Sequence, residues 1–313
     1  TVADPVEVTG VGVHSGAPAR LVIQPDPEAG GIRFLRTDLA GAEAIPAHVD
    51  QVVDTQLGTT LGLDETNRVL TVEHLLAALA ATGVTSARIE LDGPEPPIMD
   101  GSFLPWIEAI EAVGTTELDA PLPVLRIRRA LHLESGEGTR YLVAPSDAFQ
   151  LDCTIDFPHP AIGRQMGGWT LDGDTFRAAL APARTFGFAA EAEALRGQGR
   201  ALGSSLENTV VLDEQEVMNP TGLRFPDEFV RHKMLDAMGD LAHEVHVVLD
   251  RQHRHALRVQ LLDDLAGGMG FLGRHAGRRL VEQQQPRLTD ERLGKPETLA
   301  HTLGIGSHPT LHG

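Results

Sequence analysis

The chain has 313 residues, enough for one or two domains with adequate cores. Its formal net charge of −18 argues against a nucleic-acid or anionic-membrane scaffold, because nonspecific binding to either needs positive surface. The lone cysteine, Cys153, excludes an intrachain disulfide and fits a reducing compartment, and no apolar run approaches transmembrane length or forms a secretion signal. We therefore expect a cytoplasmic protein without nucleic-acid partners.

The first predicted helix carries an acid beside a histidine. After a series of short strands and turns, the run at 71–79 (TVEHLLAAL) predicts a helix with Thr71 as its N-cap and Gly83 as its stop. Glu73 and His74 lie side by side in its first turn, which is typical of a general base next to a candidate metal ligand. In this fragment alone, a solvated glutamate and an ordinary histidine are the better interpretation.

The rest of the chain repeats a plan of strands followed by helices. A strand at 87–91 and a helix at 104–113 come next, and a proline-containing stretch near 118–123 suggests a linker. The alternating run at 151–157 predicts a strand in which Cys153 is a buried, inert thiol. The remaining predicted elements are strands at 124–127 and 141–143, helices at 175–181 and 229–243, and a strand at 244–249. The similar plan of the two halves suggests two α+β layers.

The helix at 229–243 carries the richest polar pattern. Residues 226–228 (PDE) suit its start, because proline is tolerated in a first turn and acidic side chains favour the positive end of the helix dipole. His232, Asp236 and Asp240 follow at i, i+4 and i+8 and therefore share one face. One imidazole and two carboxylates so arranged indicate metal or acid–base chemistry, although a His/Asp pair at this spacing is most often an ordinary surface pair.

Lysine is nearly absent from the chain, since only Lys233 and Lys295 occur and arginine carries the other formal positive charges. The position of Lys233 beside His232 therefore suggests a specific task. A compact, mobile ammonium suits an oxyanion or a phosphate better than a planar guanidinium does. We expect Lys233 to face such a group.

A set of short runs is spread from about residue 5 to about residue 262. They are residues 9–16 (TGVGVHSG), 36–39 (RTDL), 71–75 (TVEHL), 97–102 (PIMDGS), 154–157 (TIDF), 159–160 (HP), 183–188 (ARTFGF), 222–225 (GLRF) and 232–236 (HKMLD). In order and approximate spacing they resemble the UDP-3-O-acyl-N-acetylglucosamine deacetylase (LpxC) family. Chance agreement across so many runs is negligible, so the resemblance is very specific.

The resemblance implies an α+β fold of two similarly folded domains, each a sheet packed on helices. The helices would be sandwiched between the two sheets, with the active site at the cleft between domains. We expect the first domain at 1–120, the second at 121–264 and a divergent polar C-terminal tail at 265–313. An insert near 188–203 is expected to form an apolar channel for an acyl chain.

The resemblance also implies one Zn²⁺ held by His74, His232 and Asp236, and the helix spacing independently puts the last two within reach of one ion. Glu73 would take a proton from the attacking water. The implied reaction removes the N-acetyl group of UDP-3-O-acyl-N-acetylglucosamine and releases acetate, the committed step of lipid A biosynthesis in a Gram-negative cytoplasm. The implied partner is the UDP-linked acylated amino sugar, and we expect a monomer.

Other residues take implied roles in stabilising charge and moving protons. Lys233 and the Thr185 hydroxyl would stabilise the oxyanion, and Lys233 also suits the diphosphate of the substrate. His255 would protonate the leaving amine, whereas the nearby His253 is out of register with the family. Asp240 would hold the imidazole of His255 and favour its cationic form.

Several assignments have simpler alternatives. Phe186, implied to pack against the sugar, occupies a kind of position that is more often core. Asp240 is also compatible with a helix-surface carboxylate, and His14 with either a turn residue or part of the site. Lysines that family members often carry near the diphosphate fall on Ala144 and Gln252 here, which puts affinity for the UDP portion in question. The available replacements are Lys233, Arg251 and Arg254.

Two other functions fit parts of the pattern. A zinc deacetylase of another acylated nucleotide sugar would differ from the implied enzyme in its dependence on the acyl chain. An inactive paralogue that binds a nucleotide-linked lipid would have no use for both a base and an acid. The intact set that argues against this last function is Glu73, His74, His232, Asp236 and His255.

Overall fold

The computed structural model describes residues 1–120, 128–134, 139–242 and 256–263, and for the last range it describes the backbone alone. In chain order the strands are β1 (Val6–Val11), β2 (Pro18–Pro25), β3 (Ile32–Arg36), β4 (Ile45–Pro46), β5 (Val52–Asp54), β6 (Thr60–Gly62), β7 (Arg68–Val69), β8 (Ala87–Leu91), β9 (Leu131–Glu134), β10 (Arg140–Ser146), β11 (Gln150–Phe157), β12 (Gly163–Thr170), β13 (Phe186–Phe188), β14 (Val210–Leu212) and β15 (Ala256–Asp263). The α-helices are α1 (Glu73–Ala81), α2 (Leu104–Val113), α3 (Gly173–Thr175), α4 (Ala189–Gly197) and α5 (Glu228–Ala242). A 3₁₀ turn at Val49–Gln51 and a π turn at Phe176–Leu180 complete the mixed α and β fold of the described residues.

Two five-stranded sheets form most of the β structure. In β1, Val6 and Val8 are buried while Glu7 and Thr9 are exposed, which is the alternation of a sheet with one face on a core. A single cluster of buried apolar side chains extends from the first sheet through the helices to the second. Its members include Leu21, Leu75, Trp106, Leu151 and Met234.

The two large sheets share one topology. When the strands of each sheet are numbered in chain order, both sheets have the order 1-2-5-3-4, as β1-β2-β8-β3-β4 and as β9-β10-β15-β11-β12. In both, the fifth and third strands are parallel, and the other neighbours are antiparallel. Two small sheets, β5-β6-β7 and the parallel pair β13-β14, lie in the chain between the fourth and fifth strands of the first and second large sheets, respectively.

Helices α1 and α5 pack against each other and position the polar residues of the protein's interior. Residues Glu73 to Ala80 of α1 are all buried, so this helix has no solvated face. Helix α5 also contacts β11 and β12, while α2 contacts α1 and β1. At Gly239 a Cβ atom would lie only 2.1 Å from the backbone oxygen of Glu73. Glycine is therefore required at the closest approach of α5 to α1.

Several predicted elements are confirmed. The strand Ala87–Leu91 and the helix Leu104–Val113 have the predicted bounds, and β11 contains the predicted strand in which Cys153 is a buried free thiol. Helix α5 begins at Glu228, one residue before its predicted start. The predicted strands at 124–127 and 244–249 lie outside the described residues.

Two local predictions are wrong. The segment predicted as a helix at 175–181 is a short α-helical turn followed by a π turn. Thr71 does not cap α1, because the N-cap position is Val72 and Thr71 has a left-handed φ of 52°. Its hydroxyl instead donates to Glu95 Oε1 at 2.7 Å. A tertiary contact thus takes the hydroxyl that local capping would have used.

Candidate active site

Three buried side chains from two helices form a compact cluster. His74 comes from α1, and His232 and Asp236 come from successive turns of α5. One potential ligand atom from each lies within 4.8 Å of the other two. The tight crossing of α1 and α5 brings the histidine of one helix to the histidine–aspartate pair of the other.

The lone pairs of these three side chains converge. The His232 Nδ1 atom lies 3.2 Å from the Ala183 carbonyl oxygen, which can only accept, so Nδ1 carries the proton and Nε2 carries a lone pair. That Nε2 atom lies 3.2 Å from Asp236 Oδ1, and His74 Nε2 lies 3.8 Å from the same oxygen. Among the described residues, Asp236 Oδ1 has no hydrogen-bond partner. Such an arrangement fits a bound divalent cation.

The protonation states also suit metal binding. Burial lowers the pKa of His74 to about 3 and lowers that of His232, so both imidazoles are neutral near pH 7. Burial opposes ionisation of Asp236, but the adjacent imidazoles and the Lys233 ammonium hold its pKa below the usual value. Two neutral imidazoles and a carboxylate are the donor types that zinc accepts in hydrolytic sites.

Glu73 is buried beside this cluster. Burial raises its pKa to about 8, and the nearby Asp236 carboxylate adds to the shift. Its Oε2 atom accepts a hydrogen bond from the Thr59 backbone N–H at 3.0 Å. A Cβ atom on Gly58 would lie 3.0 Å from the Oε1 atom. The loop that carries Gly58 and Thr59 therefore packs directly on the carboxylate.

Lys233 and Asp240 are buried as well, at 6% and 4% exposure. The Lys233 Nζ atom lies 3.3 Å from Asp236 Oδ2 and 5.5 Å from the centroid of the Phe186 ring. Asp240 Oδ1 accepts a hydrogen bond of 2.6 Å from the Thr59 hydroxyl. The interpretation of Asp240 as a surface carboxylate is therefore wrong. His255, its expected partner, lies outside the described residues, as does His253.

Phe186 begins strand β13, and Thr185 directly precedes it; both line the cavity. The Thr185 N–H donates to the Gly101 carbonyl at 2.8 Å, and the Thr185 carbonyl accepts from Val210 N–H at 2.8 Å, so its backbone is fixed on both sides. Phe186 is only 3% exposed and packs edge-on against Phe157 and Phe229. Most of its ring belongs to the core, and part of it lines the cavity.

A cavity of about 360 Å³ joins the polar cluster to an apolar region. Its polar part includes all the predicted site residues within the described range: Glu73, His74, Thr185, His232, Lys233, Asp236 and Asp240, with Phe186 beside them. Its apolar part includes Ala189, Ala192 and Leu195 of helix α4, together with Leu206, Val211 and Met218. The insert predicted at 188–203 thus lies over one end of the cavity.

The insert is held mainly by the residues that follow helix α4. Helix α4 has no buried residue of its own. After it, Arg200 donates to the Gln56 carbonyl at 2.6 Å and pairs with Asp54 at 3.0 Å. The Ala201 N–H donates to His14 Nδ1 at 3.4 Å. These contacts join the insert to two loops of the first half of the chain.

His14 and Glu95 hold segments next to the site through hydrogen bonds. The His14 ring uses both nitrogens, since Nδ1 accepts from Ala201 and Nε2 donates to the Leu57 carbonyl at 3.0 Å. This favours a structural part for His14. The buried Glu95 accepts from the His14 and Ser15 N–H groups and from the Thr71 hydroxyl. Thr59 and Glu95 were not predicted as site residues, because neither carries a local signal of its contacts in the sequence.

The cluster geometry agrees with the sequence comparisons. The family model for LpxC, UDP-3-O-acyl N-acetylglycosamine deacetylase, matches residues 1–266. The chain belongs to the LpxC family. A relative from Myxococcus xanthus (strain DK1622) named UDP-3-O-acyl-N-acetylglucosamine deacetylase is 49% identical over 77% of this chain and 76% of its own length. The recognition of the LpxC family from the sequence runs is confirmed.

Relatives with the same name from the genus Shewanella extend the LpxC match. Those from Shewanella woodyi (strain ATCC 51908 / MS32) and Shewanella loihica (strain ATCC BAA-1088 / PV-4) are each 46% identical over 84% of this chain, and they are covered over 88% and 87% of their own lengths. The mixed α and β architecture of the described residues is compatible with the LpxC family fold. Within the described part of the chain, every helix is too short or too polar to cross a bilayer.

Proposed function

We propose that the chain hydrolyses the N-acetyl group of UDP-3-O-acyl-N-acetylglucosamine and releases acetate, as the committed step of lipid A biosynthesis. The observation that carries the proposal is the buried His74, His232 and Asp236 cluster, with the Glu73 carboxylate beside it, in a cavity that continues into an apolar region. Membership of the LpxC family and the names of the relatives support the choice of substrate.

The proposed metal is Zn²⁺, held by His74, His232 and Asp236. The convergent lone pairs and the unpartnered Asp236 Oδ1 atom support this ligand set. When bound, zinc would supply a Lewis acid that lowers the pKa of water at the site and polarises the substrate carbonyl. The Ala183 carbonyl fixes His232 in the tautomer that such coordination requires.

Glu73 is the proposed general base. Its Oε2 atom is engaged by the Thr59 N–H, so we assign the proton transfer from water to Oε1. The buried setting that raises its pKa makes the carboxylate a stronger proton acceptor than an exposed glutamate.

We assign to Lys233 and Thr185 the stabilisation of the negative charge that develops on the carbonyl oxygen of the N-acetyl group. Both line the cavity beside the ligand cluster, and the backbone of Thr185 is fixed by two hydrogen bonds. Lys233 also suits the diphosphate of the substrate. His255 is the proposed acid for the leaving amine, with Asp240 as the residue that orients it; these two roles rest on the family resemblance.

The apolar lining supports recognition of an acyl chain. Ala192 and Leu195 of α4, with Leu206 and Met218, would contact methylene groups, and each buried methylene contributes about 0.8 kcal/mol. Phe186 would present the exposed part of its ring to the sugar. These contacts give the insert at 188–203 its proposed role as the acyl channel.

We also propose the domain plan and the setting of the enzyme. The shared topology of the two large sheets supports two similarly folded domains, at 1–120 and 121–264, with helices sandwiched between the sheets, followed by a divergent tail at 265–313. The free thiol of Cys153 fits a reducing cytoplasm. The proposed enzyme acts as a monomer without nucleic-acid partners.

The deciding experiment measures acetate release from UDP-3-O-acyl-N-acetylglucosamines with acyl chains of graded length, and from UDP-N-acetylglucosamine without a chain. We expect turnover that rises with chain length and is lost in Glu73→Gln. Release that does not depend on the chain would instead indicate a deacetylase of another nucleotide sugar. Tight binding of the acylated substrate with no acetate from the zinc-loaded protein would indicate a nucleotide-lipid binder.

A further inference from the structure

The loop between β5 and β6 has a strained backbone. Leu57 has a φ of 65° and Gly58 a φ of 155°, and the first of these is a left-handed value that a leucine rarely adopts. Both residues line the cavity next to Glu73. Strain at such a place persists only when surrounding contacts hold the backbone.

Thr59, at the end of this loop, donates two hydrogen bonds to two different carboxylates. Its backbone N–H donates to Glu73 Oε2 at 3.0 Å, and its hydroxyl donates to Asp240 Oδ1 at 2.6 Å. Glu73 begins α1, and Asp240 lies near the end of α5. Thr59 itself is 4% exposed, so both bonds are shielded from water.

We infer that Thr59 is a positioning residue that holds the carboxylates of Glu73 and Asp240 at a fixed separation. This inference rests on the proposed function, in which Glu73 is the base and Asp240 orients the acid. A threonine hydroxyl has one proton to donate, and giving it to Asp240 fixes which oxygen of that carboxylate is engaged. With one oxygen of each carboxylate held by Thr59, the two carboxylates keep a fixed orientation relative to each other.

The contacts behind the loop support this role. The His14 ring donates to the Leu57 carbonyl at 3.0 Å and thereby holds the strained residue. The buried Glu95 carboxylate accepts from the His14 N–H and from the hydroxyl of Thr71, which lies just before α1. Glu95 thus supports the loop that carries Thr59 indirectly, through His14, and it holds the residue before the helix that carries Glu73 through Thr71.

The test compares Thr59→Val, Thr59→Ser and the control Thr60→Val in the zinc-loaded full chain. Valine keeps the backbone N–H and the side-chain volume but removes the hydroxyl, whereas serine keeps the hydroxyl. Thr60 is the neighbouring threonine and is similarly buried, at 6% exposure. Because the lost bond is to a charged group, we expect kcat of Thr59→Val to fall about 10- to 100-fold with little change in KM.

The other variants should separate positioning from folding. We expect Thr59→Ser to keep most of the wild-type kcat, Thr60→Val to match the wild type, and bound zinc to stay at one per chain in all of them. Should Thr59→Val not fold, Thr59→Ala removes the same hydroxyl without an added methyl group in a polar site. Equal kcat for the wild type and the hydroxyl-free variant would overturn the inference.

A double-mutant cycle tests whether Thr59 acts through Asp240. In an Asp240→Ala background, Thr59→Val should cost little further kcat, because the hydroxyl no longer has a carboxylate to hold. Full additivity of the two losses would contradict the inference, and so would an equal loss in Thr59→Ser. Wild-type protein that releases no acetate from any acylated substrate would refute the proposed function itself, a result distinct from every outcome for Thr59.

Discussion

At the scale of single residues, burial has opposite effects on two neighbours in the first turn of α1. Burial raises the pKa of Glu73 to about 8 and lowers that of His74 to about 3. Both shifts have one cause, since an interior poor in water disfavours the charged form of either group. The result is a strong proton acceptor beside a neutral imidazole, which is the pairing that metal-assisted hydrolysis needs.

The ligand assignment predicts the metal content of variants. Purified protein should hold close to one Zn²⁺ per chain, and His74→Ala or Asp236→Ala should lower that content sharply, because a three-residue site loses one ligand. His48→Ala is the control, since its side chain is 54% exposed. Elemental analysis of the three variants gives the answer, and full zinc in both ligand variants would exclude this set.

The pKa of Glu73 predicts how metal-free protein responds to pH. Its folded-state pKa of about 8 lies above the ordinary value of 4.5, so the folded state binds the additional proton between these values. The stability that this group contributes is present below 4.5 and is lost as pH rises through about 8. Metal-free Glu73→Gln should therefore gain in Tm relative to wild type as pH rises across this interval. Parallel Tm curves for the two proteins would contradict the shift.

Zinc should remove the difference between those two curves. A bound cation favours the ionised carboxylate, so the Tm of zinc-loaded wild type should no longer decline relative to Glu73→Gln over the same interval. The same variant, with zinc retained, should lose on the order of 10² to 10⁴ in turnover. Full turnover by Glu73→Gln would mean that another group activates the water.

Lys233 is the residue whose chemistry a conservative change tests best. Lys233→Arg should be poorly tolerated, because a planar guanidinium cannot take the place of the Nζ atom 3.3 Å from Asp236 Oδ2. Lys233→Ala should lose roughly 2.7 to 4 kcal/mol of transition-state stabilisation if the lysine is a main oxyanion donor. Steady-state kinetics distinguish the roles: equal losses in kcat and kcat/KM indicate the transition state, and a loss in KM alone indicates the diphosphate. Wild-type kinetics for the arginine variant would make the lysine incidental.

At the scale of elements, the crossing of α1 and α5 determines whether the ligand cluster can form. The crossing leaves no space for a side chain at Gly239, where a Cβ atom would lie 2.1 Å from the backbone oxygen of Glu73 in α1. Helix α4, by contrast, ends at Gly197, around which a Cβ atom would meet nothing within 4 Å. These two helical glycines make a matched pair for measurement.

Gly239→Ala should separate the two helices and lower both stability and zinc content. We expect a loss of about 1–3 kcal/mol in the free energy of unfolding, the usual cost of overpacking. Gly197→Ala should be neutral or stabilise the protein by up to about 1 kcal/mol, because alanine restricts the unfolded chain. Denaturant unfolding and elemental analysis on both variants provide the check. An unaffected Gly239→Ala protein would show that the crossing tolerates a shift.

Local patterns predicted the parts of the site that lie within one helix. The shared face of His232, Asp236 and Asp240 follows from the helical period alone, and the bounds Leu104–Val113 follow from the apolar pattern. Glu228 shows the limit of such reasoning. Dipole arguments favoured its position, but it is fully buried in an ion pair with Arg184, 44 residues away in the chain. Contacts at that distance leave no trace in a local pattern.

The same limit explains why Thr59 was missed. Its two partners are 14 and 181 residues away, and nothing in the run LGTT indicates either contact. The prediction for Thr71 failed for the opposite reason: its position in the sequence fits an N-cap, but its hydroxyl donates a hydrogen bond to Glu95. Recognition of the family supplied the proposed ligand set and the proposed roles, which periodicity could not, but it did not supply the contacts that hold these residues.

At the scale of the whole molecule, the two large sheets have the same strand order, and the helices that carry the candidate ligands occupy equivalent positions in the two halves of the chain. In each sheet the last strand in the chain lies between the second and third strands. Neither sheet is complete until this strand, β8 or β15, has been added. Helix α1 precedes β8, and α5 precedes β15. Among the described residues, the helices that carry the candidate ligands are thus the last helices before the fifth strand of each sheet.

The pairing of α1 with α5 gives a bound cation a second effect, on the folding of the chain. His74 and His232 belong to helices that are separated along the chain by strands β8 to β14, so an ion held by both residues closes a long loop. Closing a long loop is slow, because its entropy cost must be met before the new contact adds any stability. We therefore expect the capacity to bind zinc to appear late in refolding, and the time course of zinc uptake would report when α1 and α5 come together.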